Sequence, residues 1–139
     1  MSSAPFFSRQ RARLFAVVWG LFLLALTSWP SPPDVPVVSS IPNFDKLVHA
    51  VLYGVEGFLL YFAIAWSGLR FSLLRALFVG GVLAVCGTLD EVHQAWIPGR
   101  SMEASDALTD AVGGLSGALI ASAVSVRKSR EESGQVEGR

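Results

Sequence analysis

Charge is scarce in this sequence. Asp, Glu, Lys and Arg make up 16% of 139 residues, against 52% hydrophobic residues and a mean hydropathy of +0.50. A water-soluble domain carries roughly a quarter of its residues charged, so the shortfall excludes ordinary solvation and points to a bilayer. An excess of positive charge is missing as well: eleven basic residues balance eleven acidic ones, and nothing suggests a nucleic-acid surface. Cysteine is nearly absent. Cys86 stands alone within an apolar run, which excludes an internal disulfide or a multi-thiolate metal site and reads as an inert packing residue. Length is short too: a span needs about 20 residues, so four helices with short loops fill these residues and leave no room for a soluble catalytic domain.

What is present is a set of four apolar runs. The first, Leu14 to Trp29, follows the basic tail Arg9, Arg11, Arg13 and stops at Pro30, Pro32 and Pro33. A signal peptide has a similar outline, but Trp19, Phe22 and the lack of an A-x-A site favour a retained helix. The Pro- and Ser-rich segment Ser31 to Phe44 reads as a loop over the membrane surface. Further spans are predicted at Asp45 to Trp66, Ser72 to Val92 and Ser105 to Val126. The expected organisation is a basic tail (1–13), a four-helix membrane domain (14–126) and a disordered, solvated tail (127–139). Nine of the eleven basic residues lie in the two tails and in the turn holding Arg70 and Arg75. Loops rich in Lys and Arg stay in the cytoplasm, so both termini are expected inside. The fold class is therefore an all-α polytopic bundle.

By this topology the polar residues gather at one outer surface. The start of span two offers Asp45, Lys46 and His49; the end of span three offers Asp90, Glu91, His93 and Gln94; the start of span four offers Asp106 and Asp110; and Arg100 lies in the loop between the last two. Asp45, His49, Leu52 and Glu56 form one helical stripe, as do Asp106, Asp110, Gly113 and Gly117, and the two stripes are expected to face each other. Gly113 and Gly117 make a small-xxx-small pattern that allows close helix approach. Asp45 and Asp106 also fit helix starts, where a carboxylate meets free N–H groups. Trp29, Trp66 and Trp96 at span ends read as interfacial anchors, with Trp96 alternatively flanking a ligand.

Five carboxylates (Asp45, Asp90, Glu91, Asp106, Asp110) against Lys46 and Arg100 leave a formal −3 before histidine. Crowded at low dielectric they do not all stay ionised, and protons shared with His49 and His93 would suit acid–base chemistry near neutral pH. A bound cation would meet the same imbalance through a mixed N/O ligand set. However, Glu91-Val92-His93 points its ends about 200° apart on a helix, and neither H-E-x-x-H nor a Cys pair is present. No metal and no cofactor is expected. Glu56, about 16 Å along the helix from Asp45 at 1.5 Å per residue, is either a neutral hydrogen-bonded carboxyl or an inward extension of the cavity.

Asp45-Lys46-x-x-His49-x-x-x-Tyr53, Asp90-Glu91-x-His93-Gln94-x-x-x-Pro98-Gly99-Arg100-Ser101 and Asp106-x-x-x-Asp110-x-x-Gly113 resemble the VanZ-like family of small bacterial membrane proteins. The resemblance covers spans two to four. It implies a multi-pass protein of the bacterial cytoplasmic membrane and cell envelope, and the family's name-giving member is associated with resistance to the glycopeptide teicoplanin. The family's recurring polar residues fall here on Asp45, His49, Glu91, His93, Gln94, Arg100 and Asp106. Asp110, where the family often has Asn, and Glu56, where it usually has an apolar residue, depart from that pattern.

Two functions compete. In the first, an envelope enzyme uses His49, Asp45, Glu91 and His93 as acid–base machinery, while Lys46, Gln94, Arg100, Asp106 and Asp110 hold a lipid headgroup, a lipid-linked cell-wall intermediate or a glycopeptide. In the second, the same cluster binds such a ligand, or a partner, without turnover. Transport ranks last, because only Glu56 carries polarity inward.

Overall fold

The computed structural model describes residues 8–30, 42–64 and 72–137. They form four helices, α1 (Arg9–Thr27), α2 (Phe44–Ala63), α3 (Ser72–Gln94) and α4 (Ala104–Glu137), with no strand among the described residues. All four are long and apolar enough to cross a membrane. Their outer faces carry Leu14, Val17, Val18, Leu21, Leu74, Phe78, Leu108 and Val112, each about half exposed or more. Such a surface would be an aggregation hazard in water and is the normal lining toward lipid. The expected Trp66 and Arg70, and most of the loop before α2, lie outside the described residues.

α4 is the axis of the bundle. It packs along α2 on one side and α3 on the other, while α1 lies against the outside of α2 and barely meets α3. Glycines make the central contacts. Gly113 and Gly117 of α4 run against the backbone of Ala50 and Gly54, and Gly114 lies against Gly57. On the α3 side, Leu115 fills the space at Gly80, and Leu83 the space at Gly114. The predicted small-xxx-small seam is thus present and extends to both neighbours of α4. Between lipid-facing helices no water is released on contact, so this close van der Waals approach supplies much of the association.

That seam also corrects the expected facing of the two stripes. At the start of the two helices the stripes do meet, with a carboxylate oxygen of Asp45 within 4.8 Å of one of Asp106 and His49 Nδ1 2.9 Å from Asp110. Farther along, α2 presents Ala50, Gly54 and Gly57 to α4, because backbones this close leave no room for a Glu side chain, and Glu56 turns toward Gly20 of α1 instead.

α1 is fastened at three heights. Arg13 Nε donates to the Ala63 carbonyl (3.2 Å), Trp19 Nε1 to the Leu52 carbonyl (2.9 Å) and Thr27 Oγ1 to Asp90 (2.9 Å). The first bond joins the start of α1 to the end of α2, as antiparallel neighbours require. Arg75, at the same end, lies 4.8 Å over the Tyr61 ring. Two further expectations are corrected. α4 does not stop near Val126 but continues to Glu137, a stretch expected as a disordered tail, supported by an i,i+4 Arg127–Glu131 pair at 3.0 Å. Cys86 is exposed rather than packed, since α3 turns that face away from α4.

The seam makes a sharp contrast between glycines. A Cβ at Gly117 would run into the Gly54 carbonyl, whereas one at Gly81 meets nothing within 4 Å. Gly117→Ala is therefore expected to lower stability in detergent by about 2 kcal/mol, within the range for overpacking. Gly81→Ala should be neutral or stabilising by up to about 1 kcal/mol, the gain in helix propensity. Thermal unfolding of the two purified variants reads the difference.

Candidate functional site

The end of the bundle where α2 and α4 begin and α1 and α3 finish collects the polar side chains. Each enters on a helix terminus. Asn43, in the left-handed region at φ 57°, turns the chain into α2 and sets Asp45 in its first turn. Asp106 takes the corresponding place in α4. Between α3 and α4, the Arg100 N–H bonds the Ile97 carbonyl at 3.1 Å, with Gly99 at φ 79°. A positive φ at this turn position suits glycine, and it directs Arg100 back toward α1.

Three layers result. Outermost, Lys46 Nζ donates to Asp106 (2.7 Å), Asp45 (3.1 Å) and Glu103 (3.3 Å), one cation shared by three carboxylates. Asp106 is the most buried of the three. Next comes a closed layer: His49 Nδ1 lies 2.9 Å from Asp110 Oδ1, and both Asp110 and Glu91 are fully buried. Glu91 is held on both oxygens, by Gln94 Nε2 at 3.2 Å and by the Glu103 backbone N–H at 2.9 Å. Gly87 makes room for this layer, since a Cβ there would collide with Asp110. The third layer faces α1, where Asp90 accepts from Thr27 and, at 3.3 Å, from the Tyr53 hydroxyl.

Asp45 and Asp106 both stand at helix starts, as expected, though within the first turn rather than at the N-cap position. Each is engaged by Lys46. Arg100 is drawn away from the carboxylates: its guanidinium donates to the carbonyls of Leu26 (3.1 Å) and Trp29 (3.3 Å) at the end of α1. The Leu26 carbonyl, in the last turn of α1, otherwise accepts only from N–H groups just past the helix end, and this is the negative end of the helix dipole, where a guanidinium is favourable.

Residues 6–125 match the sequence model of the VanZ/LLP1 family. The chain belongs to the VanZ/LLP1 family. Comparisons with curated proteins and with solved structures give no match.

Of the polar residues that the VanZ-like resemblance singled out, Asp45, His49, Glu91, Gln94 and Asp106 converge between α2, α3 and α4. Arg100 and His93 do not. His93 faces the α1 side of α3, away from Glu91, as positions about 200° apart on a helix must be. Asp110, a departure from the VanZ-like pattern, is the direct partner of His49. Trp96 is 79% exposed and Trp29 58%, both projecting outward at this end.

Two residues absent from the expected set take part. Glu103 shares Lys46 and holds Glu91 through its N–H, and Thr27 fixes Asp90. Glu103 lies three residues before Asp106, one helical turn, which would have been its only signal. Thr27, on a helix that carries no family motif, had none.

One ligand atom from each of His49, Glu91 and Asp110 lies within 4.8 Å of the others, and the same holds for Asp45, Glu103 and Asp106. The second group already has Lys46 at its centre. The first is a mixed N/O set that could hold a divalent ion, or a proton shared between imidazole and carboxylates.

The Arg100 anchorage has a measurable consequence. Arg100→Met should destabilise the protein in detergent by about 1–3 kcal/mol, the range for hydrogen bonds to a charged group. Arg127→Met, which breaks only an exposed i,i+4 pair, should cost below about 0.5 kcal/mol. Paired unfolding curves make the comparison.

Proposed function

We propose that this VanZ/LLP1 protein sits in the bacterial cytoplasmic membrane with both termini inside, and that its polar end opens to the outer leaflet. There it takes the headgroup of a membrane lipid or lipid-linked cell-envelope component. The observation that carries this reading is the layered cluster itself. A lysine already bridging three carboxylates lies over a buried His49–Asp110–Glu91 group, at the rim of a bundle whose helix flanks are apolar. Ionisable groups placed within spans are costly and are generally functional.

In this reading His49 is the acid–base group. Asp110 fixes its ring through Nδ1, which leaves Nε2 as the atom to exchange a proton with a ligand hydroxyl, amine or phosphate. Glu91, held by Gln94 and Glu103, supplies the second buried carboxylate, and Asp45 and Asp106 position Lys46. Lys46 meets an anionic group only by exchanging one of its present partners for it, so the ligand must compete with three carboxylates. Arg100 enters only if α1 gives up its guanidinium.

A second reading, binding without turnover, is favoured by one feature. The hydroxyls nearest in sequence to Asp106 are engaged elsewhere: Thr109 donates to the Ser105 carbonyl and Ser105 to Glu103. Neither is hydrogen-bonded to His49, whose Nδ1 is taken by Asp110.

His49→Gln and Glu91→Gln separate the readings. Mass spectrometry of lipid and lipid-linked extracts from cells expressing the protein should show a changed species. Both variants should abolish that change, since loss of an acid or base costs about 10²–10⁴-fold in rate. An unchanged lipid profile, with ligand still co-purifying from both variants, supports the binder instead. Because the family's name-giving member is associated with teicoplanin resistance, the inhibitory concentration of teicoplanin with each variant is the phenotype to record in parallel.

A further inference from the structure

A second concave feature lies beside the cluster and is not used by the proposed function. α1, α2 and α3 enclose a cavity of about 380 Å³. Leu23, Leu60, Leu83 and Leu89 give it apolar walls, and Glu56 and Asp90 give it carboxyls. Because α1 hardly touches α3, the cavity opens sideways between them, where Leu24 and Leu89 are both more than half exposed. Its mouth therefore faces hydrocarbon rather than the aqueous end of the bundle.

The polar content of this cleft is one-sided. Glu56 is 7% exposed, lines the cavity, and its Oε2 has no hydrogen-bond partner among the described residues. Asp90 accepts from Thr27 and Tyr53, and Tyr53 lies one turn before Glu56 on α2, so the two carboxyls flank the same stretch of the groove. His93 also lines it, and its Nδ1 has no partner among the described residues. No lysine or arginine among the described residues lines it. Lys46 is held by three carboxylates, Arg100 by the end of α1 and Arg13 by the Ala63 carbonyl, while Arg75 stacks over Tyr61 outside the lining of the groove. A carboxyl buried without a donor is strongly unfavourable, and an entering group that supplies N–H donors and positive charge relieves it.

We propose that this lateral groove is a binding site for a lipophilic amine: an ammonium group carried on a hydrocarbon chain, entering from the bilayer between α1 and α3. The ammonium donates to Glu56 and, one turn along, to Asp90. The chain lies along the leucines and leaves through the open side. A neutral alcohol of the same length offers Glu56 one O–H donor without charge, and a carboxylate amphiphile offers none, so the groove discriminates by charge. The groove uses none of Lys46, His49, Glu91 and Asp110, although Asp90 also forms the α1-facing layer of the polar end, and Glu56, which takes no part in that end, distinguishes the two.

The test uses the purified full chain in a neutral maltoside detergent, titrated with radiolabelled dodecylamine. The expected result is saturable binding of one amine per chain, with dodecanol and dodecanoate at least tenfold weaker as competitors. Cys86, the chain's one cysteine, lines the groove and is exposed, so bound amine should also slow its alkylation by N-ethylmaleimide. Glu56→Gln should weaken amine binding at least tenfold. Gly20→Leu retains both carboxyls but covers them, since a Cβ at Gly20 would lie 3.6 Å from Glu56 Oε1, and it should weaken binding comparably even if Glu56→Gln proves poorly folded. His49→Gln should bind the amine as the parent does. Equal competition by dodecanol overturns the proposal, and so does a folded Glu56→Gln or Gly20→Leu variant that binds the amine with parental affinity.

Discussion

The close approach of the α4 backbone to α2 is the constraint from which the rest follows. Gly113 and Gly117 lie against Ala50 and Gly54 where any side chain would collide. In lipid, helices gain nothing from hiding apolar surface, so contact area and backbone proximity must hold the bundle. A seam this tight sets the rotation of both helices. Once Gly113 faces Ala50, Asp110, one turn earlier on α4, must lie beside His49, one residue before Ala50 on α2. The acid–imidazole contact at 2.9 Å is thus a consequence of glycine packing farther along the same helices.

The same geometry sorts the charges by depth. Lys46 sits where it remains partly exposed and can gather three carboxylates, and at the next level inward Glu91 and Asp110 are sealed off. Burying two carboxylates side by side is tolerable only when each has donors. Gln94 and the Glu103 N–H serve Glu91, and His49 serves Asp110. The α3–α4 turn thereby becomes part of the site, because its backbone closes over Glu91 while its arginine ties down α1. A cluster so braced is preorganised, as either a binding pocket or an acid–base centre requires.

Much of the fold was legible in the residues themselves. Four apolar runs of the right length gave four helices, and Gly113 with Gly117 announced the seam. The motif residues at the starts of α2 and α4 and the end of α3 gave most of the site. Three things escaped. Glu103 and Thr27 carry no motif and join only through contacts across the bundle. The helical course of residues 127–137 was hidden by a composition that suits a solvated tail as well as an exposed helix. The separation of His93 from Glu91 followed from helical geometry, but which of the two would face α4 did not.

Sequence by itself determined the class of protein and the identity of its polar groups, because hydropathy and span length are properties of contiguous residues and the bilayer tests each span almost independently. Tertiary structure alone decided the pairings: His49 with Asp110, Lys46 with Asp106, Arg100 with the end of α1 rather than with the carboxylates, and Glu56 with the groove rather than with α4. A helix offers every side chain a direction, and its rotation about its own axis is fixed only when a neighbour comes within backbone contact.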